Sequence, residues 1–366
     1  MSKVYFTNLS SKSGDDNLLC RIRNLFEKAG AGISYKKGEL IALKVHFGEK
    51  GLDTFIRPVQ VSPIAEAVKE AGGKPFLADT NTLYTGSRSN AVDHHRTAQE
   101  HGWLRPVIDA PVVIADGLHG HEFNLVKIKG KHFKEVKIGT ALSQADGIIG
   151  VSHFKGHEIT GFGGTLKNLG MGCASRAGKV IMHCDVKPEV DINKCTACAK
   201  CADHCATNAI TVEKYALIDL KKCIGCGECI ITCPEEAIKA NDTKQIEMVQ
   251  EKIAEYALGA VKGKENKSLY YNFIVDVTPD CDCLSWRQYP LVPDIGIIAS
   301  KDPVAVDQAA YDLVTQIKGH DYEAGTDKFR MKHKINPQIQ LMHAEKIGLG
   351  TREYELIDIS TEKKTK

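Results

Sequence analysis

Residues 191–240 read DINKCTACAKCADHCATNAITVEKYALIDLKKCIGCGECIITCPEEAIKA. Eight cysteines of the chain fall here in two tetrads, Cys195-Cys198-Cys201-Cys205 and Cys223-Cys226-Cys229-Cys233, each spaced C-x2-C-x2-C-x3-C. The second tetrad runs on into Pro234. The stretch also repeats itself with a period of 28, so that Asp191 matches Asp219, Cys195 matches Cys223, Cys205 matches Cys233 and Ala209-Ile210 match Ala237-Ile238. Each x2 step lets the chain curl around one face of a cube, so that three thiolates of one loop reach three irons. The fourth thiolate follows on a short helix, which turns it toward the other cluster.

This run resembles two-cluster bacterial ferredoxins over residues 191–240. The resemblance implies two 4Fe–4S clusters with crossed ligands. Cluster one takes Cys195, Cys198, Cys201 and Cys233; cluster two takes Cys223, Cys226, Cys229 and Cys205. One departure is Ala206, where that family carries proline after the fourth cysteine. The competing assignment is a pair of structural zinc sites, because CxxC pairs also bind zinc, but zinc needs four ligands per site and no crossed third cysteine.

The remainder of the chain is too long for such a module alone. Its 366 residues suggest two or three domains with an ample core. A hydrophobic content of 43% and a charged content of 26% are ordinary for a soluble globular protein. The net charge of +2 makes no electrostatic case for nucleic acid or an acidic membrane. With no apolar leader and no apolar run long enough to span a bilayer, a cytoplasmic protein is expected. Thirteen cysteines in that setting argue for metal binding over a disulfide framework, and Cys20, Cys173, Cys184, Cys281 and Cys283 lie outside the tetrads.

Strand-like runs alternate with helical ones on both sides of the cysteine stretch. Strands are expected at 40–46 (LIALKVH), 74–79 (KPFLAD), 111–116 (PVVIAD), 146–153 (DGIIGVSH), 269–277 (LYYNFIVDV), 294–300 (DIGIIAS) and 353–359. Helices are expected to open at Ser62-Pro63 and at Asp302-Pro303, and to cover 90–101, 135–144 and 244–261, with a further one ahead of Gly348. The pattern predicts an α/β fold, a mostly parallel sheet flanked by helices and interrupted by an inserted α+β ferredoxin-like domain. The α/β domain would comprise 1–188 plus 241–366, the insertion 189–240, and 361–366 a flexible tail.

Ligands of open α/β sheets bind beyond the carboxyl ends of the strands. Those ends carry His46, Asp79, Asp116, His153, the Cys281-Asp282-Cys283 turn and Asp302. The richest connection, 153–183, holds His153, His157, Lys167 and His183 among Gly156, Gly161, Gly163, Gly164, Gly170 and Gly172. Glycine lets backbone approach a ligand closely, and a lysine among glycines suits an anion. It matches neither the P-loop nor the dinucleotide fingerprint. The bland alternative is a long loop with solvated histidines. Cys281 and Cys283 could bind one metal, act as a redox pair or be plain buried cysteines, and Cys173 and Cys184 could complete such a site. Cys20 is read as core, His94 and His95 as a solvated helix face, and His119 and His121 as an exposed turn.

The whole-chain arrangement resembles the uncharacterised iron–sulfur centre proteins of domain of unknown function 362. The matching stretches are KVHFGE (44–49), LADT (77–80), HFKGH (153–157), GFGG (161–164), KNLGMG (167–172), PDCDC (279–283) and DPVAVD (302–307). That resemblance implies the α/β domain and the two clusters and brings no settled activity. The array His157-x9-Lys167-x15-His183, with GFGG between the first two, resembles a core motif of the lactate racemase family. There the first histidine acts in proton or hydride transfer, the lysine holds a nickel-pincer nucleotide and the last histidine supports the nickel. Carried over, His157 is the acid/base, Lys167 the covalent anchor and His183 a metal ligand; that family's further metal-supporting histidine has no placed counterpart.

Three functions follow as expectations. The first is an iron–sulfur oxidoreductase, or its electron-input subunit, passing single electrons from two 4Fe–4S clusters to a pocket on the α/β domain. The second is a metal- or cofactor-dependent enzyme related to lactate racemase, using His157, Lys167 and His183, with Gly161, Gly163, Gly164, Lys167 and Asn168 around the cofactor. Here His153, His183, Cys281 and Cys283 would be ligands of one further metal. The third is an iron–sulfur assembly or sensor protein. A redox partner protein and a small-molecule substrate are the expected partners.

Overall fold

The computed structural model describes residues 1–366 except 12, 85, 184–186, 226–227, 236, 241–242 and 361–366. Cys184, Cys226 and the expected tail therefore lie outside the described residues. Eight strands build the main sheet. They are β1 (Ser2–Thr7), β2 (Leu40–Lys44), β3 (Lys74–Asp79), β4 (Val112–Ile114), β5 (Gly147–His153), β6 (Ser268–Ile274), β7 (Gly296–Ser300) and β8 (Tyr354–Asp358). Their order across the sheet is β8-β1-β7-β6-β5-β2-β3-β4.

Every neighbouring pair is parallel except the two made by β7, which runs antiparallel to both β1 and β6. Central strands read as continuous apolar runs because both faces are covered. All seven residues of β5 and all seven of β6 are buried. One face packs Ala42, Ile148, Leu166, Leu169 and Ile253; the other packs Leu43, Ile149, Ile22, Ile64 and Val68. This is the α/β sheet flanked by helices that the alternation predicts.

Three local expectations need correction. The stretch 135–144 is not one helix. Glu135–Gly139 alternates in burial with the period of two that a strand requires and pairs antiparallel with Phe123–Lys127; only Thr140–Gln144 is helical. The helix expected from Ser62-Pro63 begins earlier, at Pro58, where a first-turn proline loses nothing, and runs to Glu70 with Pro63 inside it. Asp302 caps the helix Pro303–Gln316 through Val304 and Ala305 N–H. Because β7 is antiparallel, its carboxyl end lies on the opposite edge of the sheet from those of β2, β3 and β5, so Asp302 does not join their residues.

Between Pro188 and Ala240 the chain makes two small antiparallel ladders, Pro188–Val190 with Ile238–Ala240 and Ile210–Val212 with Ala216–Ile218. Two short helices, Lys200–Asp203 and Glu228–Ile231, face each other in the same segment. Its small core is Cys201, Ile210, Ala216, Cys229 and Ile238. The chain then returns through the helix Thr243–Val261, which packs along Thr165–Cys173. Gly170 permits that approach, since a Cβ there would stand 2.2 Å from Ile253 O. No helix of the described residues is long and apolar enough to cross a membrane.

Candidate functional site at the carboxyl edge of the sheet

The carboxyl ends of β2, β3 and β5 open onto a cavity of about 1040 Å³, its open mouth included. Its walls come from seven places. Lys44 and His46 follow β2, Asp79 and Thr80 end β3, and Lys155, His157 and Glu158 form the hairpin after β5. Lys167 and Asn168 come from Thr165–Cys173, and Lys179 and His183 from Arg176–His183. Cys281 and Cys283 come from the turn after β6, and Glu228 reaches in from the cysteine-rich segment. The cavity thus gathers His157, Lys167, His183, Gly163, Cys281 and Cys283 from positions scattered between 157 and 283.

Cations dominate the walls, and buried carboxylates hold some of them. Lys44 Nζ lies 3.0 Å from Asp79 and 2.8 Å from Asn168 Oδ1. Arg88 Nε lies 3.1 Å from Glu49, Nη1 lies 3.4 Å from Asp79, and the guanidinium also bonds Tyr84. Burial opposes ionisation of Asp79, yet Lys44 and then His94 hold its carboxyl well below the usual range. Lys155 Nζ lies 3.1 Å from Asp282. Lys179 Nζ has only oxygen dipoles within reach, Thr80 Oγ1 at 2.7 Å and Asn81 O at 2.6 Å, and burial pulls it down to about 8. Lys167 Nζ is 3.8 Å from Cys281 Sγ.

The histidines are sorted by what their nitrogens touch. His157 Nδ1 accepts N–H from Ile159 at 3.1 Å and Thr160 at 3.2 Å, so its ring proton sits on Nε2, 3.3 Å from Glu158 Oε1. Burial, then Lys167, pushes His157 well below its ordinary value. His183 Nδ1 donates to Lys179 O at 2.9 Å, which leaves the lone pair on Nε2, and burial pulls it down to about 4. That is the tautomer a metal-supporting imidazole needs. His153 differs: Nδ1 faces both Asp282 oxygens at 2.9 Å and Nε2 faces Val275 O at 2.7 Å. Both nitrogens are spent, so the expectation that His153 ligates a metal is corrected.

Other expected positions serve the fold. Asn168 Nδ2 binds Lys44 O, Val151 O and Ser152 Oγ while Oδ1 takes Lys44 Nζ, so the side chain bolts β2 to β5. Gly161 turns the hairpin at φ +75 against Pro337, away from the cavity. At Gly164 a Cβ would meet Asp307 Oδ1 at 2.4 Å, and Asp307 accepts the N–H of Thr165 and Leu166. This helix start is therefore satisfied by a carboxylate of the chain itself, and the glycine-rich loop does not cradle an anion there. Cys173 is buried in the core, which raises its thiol to about 12, and does not line the cavity. Cys20 is only half-buried. His119, His121 and His95 are exposed as read, whereas His94 is fully buried, 3.6 Å from Asp79.

Sequence reading missed Lys44, Arg88, Lys155, Glu158, Lys179 and Glu228. Glu158 is the most consequential. Burial raises it to about 7, with Lys167 pulling the other way, and its Oε2 has no hydrogen-bond partner. Alternation within HFKGHE offered the one local hint, a run of polar residues on a buried strand end.

Two smaller cavities lie in the cysteine-rich segment. Cys195, Cys198, Cys201 and Cys233 line one of about 320 Å³. Cys205, Cys223 and Cys229 line one of about 340 Å³, together with Glu228, which thereby borders the large cavity too. Backbone N–H groups point at the sulfurs: Ala216 to Cys195, Ala209 to Cys205, Gly225 to Cys223 and Ala237 to Cys233, at 3.2 to 3.4 Å. Ala197 and Ala199 adopt left-handed φ of 54 and 62, conformations that cost about 1–3 kcal/mol and persist where the surrounding loop demands them. Among the described residues no three histidine, cysteine, aspartate or glutamate side chains converge closely enough to hold a single metal ion.

The thylakoid-associated protein sll1697 of Synechocystis sp. is 27% identical over 173 residues, 46% of this chain and 49% of that one. The chain thus spans about half the length of the curated relative it matches. Among solved structures, the lactate racemase apoprotein from Thermoanaerobacterium thermosaccharolyticum is 13% identical with a TM-score of 0.36, covering 75% of this chain and 51% of that one. A Thermotoga maritima protein solved by a structural genomics consortium is 11% identical with a TM-score of 0.35, covering 72% and 52%. Residues 41–312, which carry every wall of the cavity, match one family model, and the chain belongs to that family, Domain of unknown function (DUF362).

Proposed function

We propose that the cavity is the active site of a metal- or cofactor-dependent enzyme acting on a small anionic substrate, with His157, Lys167 and His183 as its working groups. One observation carries the reading. Three residues singled out by their resemblance to the lactate racemase motif, 26 positions from first to last, line one cavity with Lys44, Lys155, Lys179 and Arg88. Lys179 spends its three N–H on Thr80 O, Thr80 Oγ1 and Asn81 O, whereas Lys167 has, among the described residues, Cys281 Sγ as its partner and no carboxylate, so Lys167 remains to meet an anion. The donor set suits a nucleotide-borne metal: His183 Nε2 has its lone pair free, and Lys167 is the amine for a covalent anchor. A cofactor of that kind, when bound, supplies an electron sink for a substrate C–H bond. The chain's part is to hold carboxylate or phosphate against the cationic wall of the cavity, to donate from His157 Nε2–H, and to hold or release a proton at Glu158.

A second reading joins the first and rests on the cysteine cavities. Four thiols of the crossed set line one, three described thiols of the other crossed set line the second, and N–H groups point at the sulfurs. That donor set fits two 4Fe–4S clusters, with Cys226 as the remaining ligand outside the described residues. Clusters would supply single electrons, and since Glu228 borders both cavities, cluster two would lie next to the large one. A redox partner protein would feed them.

Anaerobic purification followed by metal and small-molecule analysis tests both. The expected protein carries iron for two clusters, plus a further metal or an organic ligand that is lost in Lys167→Ala. Cluster iron with no second metal or ligand, and no change in Lys167→Ala, sinks the enzyme reading. Absence of iron sinks the electron reading.

A further inference from the structure

Cys281 Sγ and Cys283 Sγ stand 3.1 Å apart in the turn after β6. Both face the large cavity, and neither has a task in the reading above. The turn is pinned from several sides. Gly156 N donates to Thr278 O at 2.8 Å, Glu49 N donates to Asp282 O at 3.2 Å, and Leu284 N closes back on Cys281 O at 3.1 Å. Asp282 itself is held by His153 and Lys155. The two sulfurs are therefore presented, with little freedom, at a separation that needs about 1 Å of closure to reach a disulfide bond of about 2.05 Å.

The surroundings are those of a reactive pair. His46 Nδ1 accepts N–H from Gly48 at 3.1 Å, so the ring proton lies on Nε2, 3.6 Å from Cys283 Sγ. Lys167 Nζ is 3.8 Å from Cys281 Sγ on the other side. Cys283 is the sulfur these donors hold toward thiolate, through the S–H of Cys281 and then His46, while Cys281 keeps its proton as the donor of the pair. We propose that Cys281 and Cys283 are a redox-active pair that cycles between dithiol and disulfide inside the cavity and exchanges electrons singly with the iron–sulfur clusters of the cysteine-rich segment. The electron exchange rests on the cluster reading above. Two thiols give one S–S bond, two protons and two electrons; the protons leave through the cavity, and each of two clusters accepts one electron. Reversed, two single-electron arrivals break the S–S bond and restore both thiols. The pair thus converts one-electron delivery into a two-electron change beside the substrate.

The test uses the anaerobically purified, cluster-loaded chain. Samples equilibrated against mixtures of oxidised and reduced dithiothreitol are alkylated with iodoacetamide and mapped by mass spectrometry. The expected result is loss of two hydrogens on the peptide holding Cys281 and Cys283, and its absence in Cys283→Ser. Both cysteines alkylated even in the most oxidising mixture overturns the proposal. In the disulfide form, photoreduction by a one-electron flavin donor bleaches the clusters, and the bleach recovers as two thiols appear; in Cys283→Ser it persists. A lasting bleach in the parent chain, or recovery in the variant, overturns the electron exchange. Cys281→Ser is the second variant should the first not fold. A preparation lacking iron is recognised beforehand by its metal content, so failure of the cluster reading is separate, and the alkylation result stands on its own.

Discussion

Glu158 Oε1 stands 3.3 Å from His157 Nε2, and the backbone decides which of the two changes protonation near neutrality. Two N–H groups pointing at His157 Nδ1 oppose a proton there, and burial with Lys167 disfavours the imidazolium. Glu158 is the group poised to titrate, raised to about 7 chiefly by burial.

A dependence of stability on pH follows. Between about 4.5 and 7 the native chain keeps on Glu158 a proton that the unfolded chain has already released. The native state binds more protons there, so stability falls as pH rises through that window. Denaturant midpoints across pH 4.5–8 should show this decline, and Glu158→Gln should flatten it. An unchanged slope in the variant would remove Glu158 from the titrating role.

Lys44 and Asp79 form an ion pair with side chains 1% and 4% exposed. Lys44→Met leaves Asp79 with Arg88, His94 and the Thr80 N–H and strands Asn168 Oδ1. Removing one partner of a buried pair costs about 3–5 kcal/mol, and the remaining Arg88 contact puts the expected loss at the lower end. Urea unfolding measures it.

The crossed ligand sets predict crossed losses. Cys233→Ser should disturb the cluster of Cys195, Cys198 and Cys201, and Cys205→Ser that of Cys223 and Cys229. Paramagnetic resonance of the reduced variants separates the two; loss of the same-run cluster in either would contradict the assignment.

Gly156 lies so close to Pro279 that a Cβ would sit 1.9 Å from the Pro279 carbonyl oxygen. Gly156→Ala must push the 279–283 turn outward, at a cost of about 1–3 kcal/mol for overpacking. It should also part Cys281 from the Lys167 amine, so anion binding to the cavity weakens along with the melting temperature. A variant with native affinity would show that the turn does not shape the site.

Some of this was legible because its signal is local. The cysteine spacing and its repeat need only neighbouring residues to be read, and His157, Lys167 and His183 carried their spacing with them. The polar frame was not legible for a physical reason. Asn168 and Lys44 are 124 positions apart, and Arg88 meets Glu49 only because β2 lies beside β3. His94 read as solvated because its helix carries a second, exposed histidine next to it; what buries it is packing against Phe47 and Asp79. Asp302 was assigned to the wrong edge because a strand's apolar pattern is the same in either direction, and only the sheet's pairing reveals that β7 runs the other way.

The strand order also sets a timetable. β1 is made first, but both its partners, β7 and β8, are made near the end. A growing chain emerges from its amino end and folds in units as they appear. The cysteine-rich segment, whose ladders pair only with one another, is out and able to close while β1 still lacks a neighbour and the 281–284 turn does not yet exist. If the segment holds the proposed clusters, their iron can be delivered before the large cavity is enclosed, since the 281–284 wall is made after Glu228. Closure of the cysteine-rich segment and sealing of the pocket become successive events in the life of one nascent chain.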